Sequence, residues 1–210
     1  MKKSILSVGA ATMLLAMLAT GCASSRDALA KEYERLAAIK PGPKIIFSGD
    51  KAINDLGALS YTSHVFALDL MKNYVNATEN HREYLAFMSD MDYYVKEEKM
   101  SEKDAYEKIK AEVSAKDPAM WKQVEAGIAA TNALGPVELL KKIAPVAVTA
   151  AKTSQSATQL KNSFKGFDQA TMLKAKTCVD IINETAITTE CLAFLTLQFQ
   201  RVVTMMTYKK

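Results

Sequence analysis

Histidine and methionine are the residues of this chain whose side chains could hold a metal ion. There are two histidines, His64 and His81, and neither has a carboxylate three residues before it. Di-iron helical bundles use that Glu-x-x-His spacing, and zinc sites need three or four Cys, His or carboxylate ligands. The 11 methionines could suit Cu(I), but methionine also fills irregular helical cores. We expect no metal site.

The motifs that position a nucleophile or a phosphate are missing as well. The sequence has no G-x-S-x-G elbow, no Walker loop and no glycine-rich dinucleotide-binding pattern. Acidic pairs such as Asp90 and Asp92 lie in polar runs, which are typical of solvated helix faces. We therefore expect a protein that is not an enzyme and carries no cofactor.

An aromatic and methionine-rich stretch is the candidate binding surface. Its residues could line a groove for an apolar ligand or a surface for a partner, because aromatic residues and methionine are enriched at interfaces. The members are Tyr84, Phe87, Met88, Met91 and Tyr94. The same composition is also typical of helix core packing, so both interpretations stay open.

Of the three cysteines, Cys22 has the most informative position. It follows Gly21 at the end of a stretch, residues 4–20, that has no charged residue and comes after Lys2 and Lys3. The apolar part is shorter than the roughly 20 residues that a membrane-spanning helix needs. A cationic start, a short apolar middle and small residues at the end are typical of a secretory signal.

This segment resembles a bacterial lipoprotein signal, in which a small residue precedes a lipidated cysteine. The resemblance implies cleavage before Cys22, a diacylglycerol thioether on its sulfur, and acylation of its new amino group, for example with palmitate. Ala23 stands where Asp would imply retention at the inner membrane, so the resemblance implies the outer membrane, facing the periplasm. A one-membrane host, an ordinary secretory signal and a retained membrane anchor are the alternatives.

Cys178 and Cys191 could form a disulfide, which an oxidising compartment permits. On one continuous helix they would lie about 20 Å apart, whereas a disulfide needs Cα atoms within about 7 Å. A bridge therefore requires a turn between them, near residues 183–189. Without that turn they are two small buried hydrophobic residues.

The hydrophobic pattern predicts helices along the rest of the chain. Apolar residues recur at three- and four-residue steps, and glycine and proline are scarce, at 8 and 5 of 210 residues. We predict an all-α fold, an elongated antiparallel bundle of about five or six helices. The expected organisation is a signal peptide over residues 1–21, a lipidated tether with a short helix over 22–43, and a bundle domain over 44–210.

Several breaks and one long element can be placed within this pattern. Residues 41–43 end the first helix, and the pattern from Asp50 either runs to Val95 or turns near residues 76–80. Pro145 predicts a kink or a split in its helix. The last segment, from residue 168 to the end, predicts a single helix of about 60 Å.

Charge and organisation limit the function classes. The net charge is +4, and about +2 after loss of Lys2 and Lys3, which is too mild to indicate nucleic-acid binding. We expect a membrane-anchored accessory protein that contacts another envelope protein and has no catalytic activity. The alternatives are a helical module that binds a hydrophobic ligand and, based on residues 186–206, a membrane-active protein that resembles helical pore formers in a general way.

Overall fold

The computed structural model describes residues 28–46 and 49–208, and these residues form an all-α fold. They contain no strand and seven helices, against the five or six expected. The helices are α1 (Ala28–Ala37), α2 (Lys51–Thr78), α3 (Arg82–Lys96), α4 (Glu102–Lys116), α5 (Pro118–Ala133), α6 (Pro136–Ser163) and α7 (Gln169–Tyr208). The predicted signal peptide and Cys22 lie outside the described residues.

Local capping chemistry sets where the helices begin. A carboxylate or hydroxyl oxygen just before the helix accepts a hydrogen bond from a first-turn N–H, which has no partner within the helix. These bonds join Asp50 Oδ1 to Ile53 N (3.2 Å), Ser101 Oγ to Asp104 N (3.1 Å), Asp117 Oδ1 to Met120 N (3.0 Å) and Asp168 Oδ1 to Thr171 N (3.0 Å). All four residues precede helices that the sequence predicts.

The structure decides between the alternatives for the longer segments. The pattern from Asp50 ends at Thr78, so the turn near residues 76–80 is correct and the uninterrupted helix to Val95 is wrong. Pro145 lies inside α6, which runs through it as one 28-residue helix, so the predicted split does not occur. The last segment is one helix of 40 residues, as predicted.

The chain divides into two compact units. Among the described residues, unit 1 contains 28–37, 74–140 and 197–208, and unit 2 contains 38–46, 49–73 and 141–196. The helix α1 belongs to unit 1, and its Leu29 and Leu36 side chains are buried.

Aromatic packing forms the core of unit 1, in which α3, α4 and α5 contact one another and α1 packs on α3. The rings of Phe87, Tyr106 and Trp121 meet edge to face with centroids 5.8–6.1 Å apart, an arrangement that aromatic quadrupoles favour. Gly127 brings α5 close to α3: a Cβ added there would lie 2.3 Å from Tyr84 Cβ.

The core of unit 2 is made from smaller side chains. Ile53, Ala157, Cys178 and Ile181 are fully buried and lie on α2, α6 and α7. Partly buried apolar residues pack around them, namely Ile45, Leu56, Leu160, Phe164 and Ile182. The segment before α2 is part of this packing, since a Cβ at Gly57 would lie 2.3 Å from the Ile45 carbonyl oxygen.

We expect Gly127→Ala to destabilise the protein by about 2 kcal/mol, because overpacking forces side chains and backbone to shift. Gly42→Ala is the matched control, since no atom lies within 4 Å of its added Cβ, and it should stay within about 0.5 kcal/mol of wild type. Urea unfolding followed by circular dichroism measures both. Equal midpoints for the two variants would contradict the close approach of α5 and α3.

Candidate functional site

The residues predicted as a ligand or partner surface lie in the core of unit 1. Tyr84, Phe87, Met88, Met91 and Tyr94 are all buried. Phe87 contacts Tyr106 and Trp121, so its ring faces protein instead of solvent. These side chains therefore pack in the core of unit 1 and do not form an exposed surface. The pattern could not separate the two, because a core and an interface use the same residue types.

A buried ion-pair network lies in the same unit and includes Asp92, so the prediction that Asp92 lies on a solvated helix face is wrong. Arg201 of α7 is 1% exposed. Its Nη2 donates to Asp92 Oδ1 at 3.0 Å and its Nε donates to Glu102 Oε1 at 3.3 Å. Lys96 pairs with the other oxygen of Asp92 at 3.0 Å. The positive charge of the buried guanidinium is thus compensated by two carboxylates, one from α3 and one from the first turn of α4.

Tyrosine and glutamine side chains extend this polar interior. The Tyr74 hydroxyl donates to Gln198 Oε1 at 3.5 Å. Burial raises the pKa values of Tyr74 and Tyr84 above the ordinary value of 10.0. A general acid or base works best with a pKa near the working pH, and burial moves these phenols further from it. The network therefore has the chemistry of a structural core.

Serine, histidine and carboxylate side chains meet in unit 2, between α2 and α7. His64 is buried, and its Nδ1 lies 3.1 Å from Thr188 Oγ1. Ser60 donates to the Glu184 carboxylate, not to His64. A nucleophilic serine needs the histidine as its base, so this arrangement lacks the hydrogen bond that activates serine. In the sequence, Ser60 and His64 are four residues apart, and so are Glu184 and Thr188. This spacing puts each pair on one helix face and is the signal from which the contact between the two pairs could have been predicted.

Burial lowers the pKa of His64 below its ordinary value of 6.5, and the negative charge of Glu184 raises it in part. The folded protein therefore keeps this imidazole neutral to lower pH than the unfolded chain does. His64 is a buried group whose protonation the fold resists.

Both described cysteines are buried on α7, and no disulfide joins them. The helix is continuous between Cys178 and Cys191, so they lie about 20 Å apart along it. The alternative in which Cys178 and Cys191 form a disulfide is therefore wrong, because the turn that the bond requires does not form. Burial, with the charge of Asp50 adding to it, raises the pKa of the Cys178 thiol above 9.0, which disfavours the nucleophilic thiolate.

Residues 28–46 and 49–208 contain neither a metal-binding cluster nor a helix that could span a membrane. No three His, Cys, Asp or Glu side chains lie close enough there to hold a metal ion. Within the same residues, no helix combines the length and the apolar character needed to cross a membrane, α7 included.

Several large apolar side chains of unit 2 are exposed, among them Phe167, Met172 and Leu173 near the start of α7. The start of α7 is held to the start of α2 by the pair between Lys174 and Asp50 at 3.0 Å. Phe164, just after α6, packs on the cluster that contains Cys178.

We expect Arg201→Met to destabilise the protein by about 3–5 kcal/mol, because it leaves the Asp92 carboxylate buried without its main partner. Lys51→Ala is the control: it removes the exposed Lys51–Asp55 pair, and such pairs contribute about 0–1 kcal/mol. Thermal and urea unfolding measure both variants. A loss below about 1 kcal/mol for Arg201→Met would mean that the network is not structural.

We expect stability to fall with decreasing pH below about 6.5, because the unfolded state binds a proton at His64 before the folded state does. Above the pKa of His64 in the unfolded chain, the contribution of the neutral imidazole to the free energy of unfolding is fully present. His64→Gln should flatten the dependence between about pH 6.5 and 5, since glutamine does not titrate. Urea midpoints across that range test the prediction. Parallel curves for wild type and His64→Gln would contradict it.

Comparison of this chain with protein-family models, with curated proteins and with solved structures finds no match.

Proposed function

We propose that this protein is a lipid-anchored component of the bacterial cell envelope that acts as a non-catalytic accessory protein, by contact with other envelope proteins. The observation that carries the proposal is Gly21-Cys22 after the uncharged residues 4–20, which resembles a lipoprotein signal. Under this proposal the lipid on Cys22 holds the chain at the outer membrane, facing the periplasm.

The contacts of α1 give the anchor a structural consequence. The Tyr33 ring meets the Tyr74 ring edge-on at 6.1 Å, and its hydroxyl lies 3.3 Å from Thr78 Oγ1. Cys22 and Ala28, where α1 begins, are six positions apart, and six residue steps span at most about 20 Å when fully extended. An acyl chain on Cys22 would therefore keep α1, and with it unit 1, close to the membrane surface.

Anchoring of this kind suits an accessory protein on physical grounds. Each buried methylene adds about 0.8 kcal/mol, and two or three acyl chains hold a protein stably. Confinement raises the effective concentration of the chain for partners in the same membrane. A surface of modest intrinsic affinity is then sufficient for a lasting contact.

We expect an alkyne-labelled fatty acid to be incorporated into the wild-type protein and not into Cys22→Ala. The thiol of Cys22 is the proposed attachment point, and its removal also prevents signal processing. In-gel fluorescence and the mass of the N-terminal lipopeptide measure the outcome. Cys178→Ala is the control and should keep the label, because Cys178 is buried. A label that survives in Cys22→Ala would exclude this anchor.

We expect crosslinking in intact cells, at native expression, to capture a stoichiometric envelope protein. Cys22→Ala should capture less of it, because the unanchored chain is diluted. A chain that carries its lipid but crosslinks to no partner would contradict the accessory role. It would still be consistent with the lipid anchor.

A further inference from the structure

Buried polar side-chain atoms without a hydrogen-bond partner are concentrated in unit 1. Within residues 28–46 and 49–208, every atom of this kind belongs to that unit. These atoms are Tyr84 Oη, Ser89 Oγ, Tyr106 Oη, Thr131 Oγ1, Gln198 Nε2 and Arg201 Nη1. Folded proteins pair nearly all of their buried polar atoms, either with other protein groups or with ordered water. The concentration in one unit therefore indicates a binding site for a polar molecule.

Four of these atoms lie in one cluster beside the Tyr74 hydroxyl. That hydroxyl donates to Gln198 Oε1 at 3.5 Å. Burial is the main cause that raises the pKa of Tyr74, and Tyr84 and Arg201 are close enough to affect it as well. Burial also raises the pKa of Tyr84, and the hydroxyls of Thr131 and Tyr74 and the charge of Arg201 lower it in part. Each member of the cluster is thus a neighbour of another member.

The positions along the helices agree with this cluster. Thr131 lies four residues after Gly127, so the two share one face of α5, and a Cβ added at Gly127 would lie 2.5 Å from Tyr84 Cγ. Gln198 and Arg201 are three residues apart on α7 and share a face there. The four side chains that carry the unpaired atoms are at most 1% exposed. Polar atoms from α3, α5 and α7 therefore meet in the interior of unit 1.

We propose that this cluster binds internal water molecules, which are fixed parts of the unit 1 core. Gln198 Nε2 and Arg201 Nη1 can only donate, whereas the hydroxyls of Tyr84 and Thr131 can donate and accept. Water can accept from the first two and take either role with the hydroxyls. A buried water makes about three hydrogen bonds, so about two waters would satisfy the four atoms. This site is independent of the lipid anchor and of any protein partner.

The charge balance around the cluster favours water over an anion. Arg201 and Lys96 are cations, and the carboxylates of Asp92 and Glu102 compensate them. The network therefore has no excess positive charge for an anion to pair with, and burying an unpaired charge is strongly unfavourable. Water satisfies the same donors without adding a charge.

The number of long-lived water molecules tests the proposal. Oxygen-17 relaxation dispersion on the purified chain, residues 22–210 with Cys22→Ala, counts waters that stay bound for longer than the protein tumbles. We expect Thr131→Val and Tyr84→Phe each to lower this count by about one and the melting temperature by about 2–4 °C. Each variant removes one hydroxyl and leaves the groups bridged to it without a partner. Thr131→Ser keeps the hydroxyl and should keep the water count.

A matched variant and the sign of the stability change separate this site from ordinary packing. Thr185→Val removes a buried hydroxyl that donates to the Ile181 carbonyl oxygen within α7, so it should leave the water count as in the parent. In an interior without water, removing an unpaired hydroxyl would stabilise the protein. A higher melting temperature for Thr131→Val would therefore contradict the proposal.

Two other results would overturn it. One is a water count that neither Thr131→Val nor Tyr84→Phe changes, whatever happens to stability. The other is a melting temperature that rises when chloride replaces gluconate at constant ionic strength and that no longer does so in Thr131→Val. That result would assign the cluster to an anion.

Discussion

A buried guanidinium is the constraint on which unit 1 depends. Burying an unpaired charge costs several kcal/mol even after the protein relaxes, so Arg201 must lie where Asp92 and Glu102 can reach it. This requirement fixes the position of the last turns of α7 against α3 and α4. The ring contacts on either side of Arg201 along α7, Phe199 with Tyr74 and Tyr208 with Tyr106, need the same register.

Unit 2 meets the constraint on buried polar groups in a different way. The threonine hydroxyls of α7 donate to carbonyl oxygens of the preceding turn, as from Thr185 to Ile181 and from Thr188 to Glu184. Each hydroxyl is thereby satisfied within its own helix, and a threonine-rich face can be buried without many cross-helix partners. Small core residues such as Ala157 and Cys178 let α6 and α7 pack closely on α2. Thr188 remains available to His64, which anchors that ring.

The sequence predicts those features whose causes are local. Asp50 and Asp168 cap helices because a carboxylate before a first turn meets free N–H groups, and both starts could be placed. The burial of Tyr84 could not be decided, since periodicity identifies a helix face without naming what covers it. The Arg201–Asp92 pair joins residues 109 positions apart, a relationship that no local pattern contains. Pro145 was ambiguous because packing decides whether a helix continues through proline.

A lipidation signal is a short linear pattern, so the sequence alone suggests Cys22 as the site of the proposed anchor. Acyl chains would give lasting residence at a membrane, because each buried methylene adds about 0.8 kcal/mol. The anchor would act on unit 1 through α1, whose Tyr33 ring meets the Tyr74 ring. A chain held in this way meets partners in the same membrane at a raised effective concentration, so a contact of modest affinity is sufficient for the accessory role that we propose.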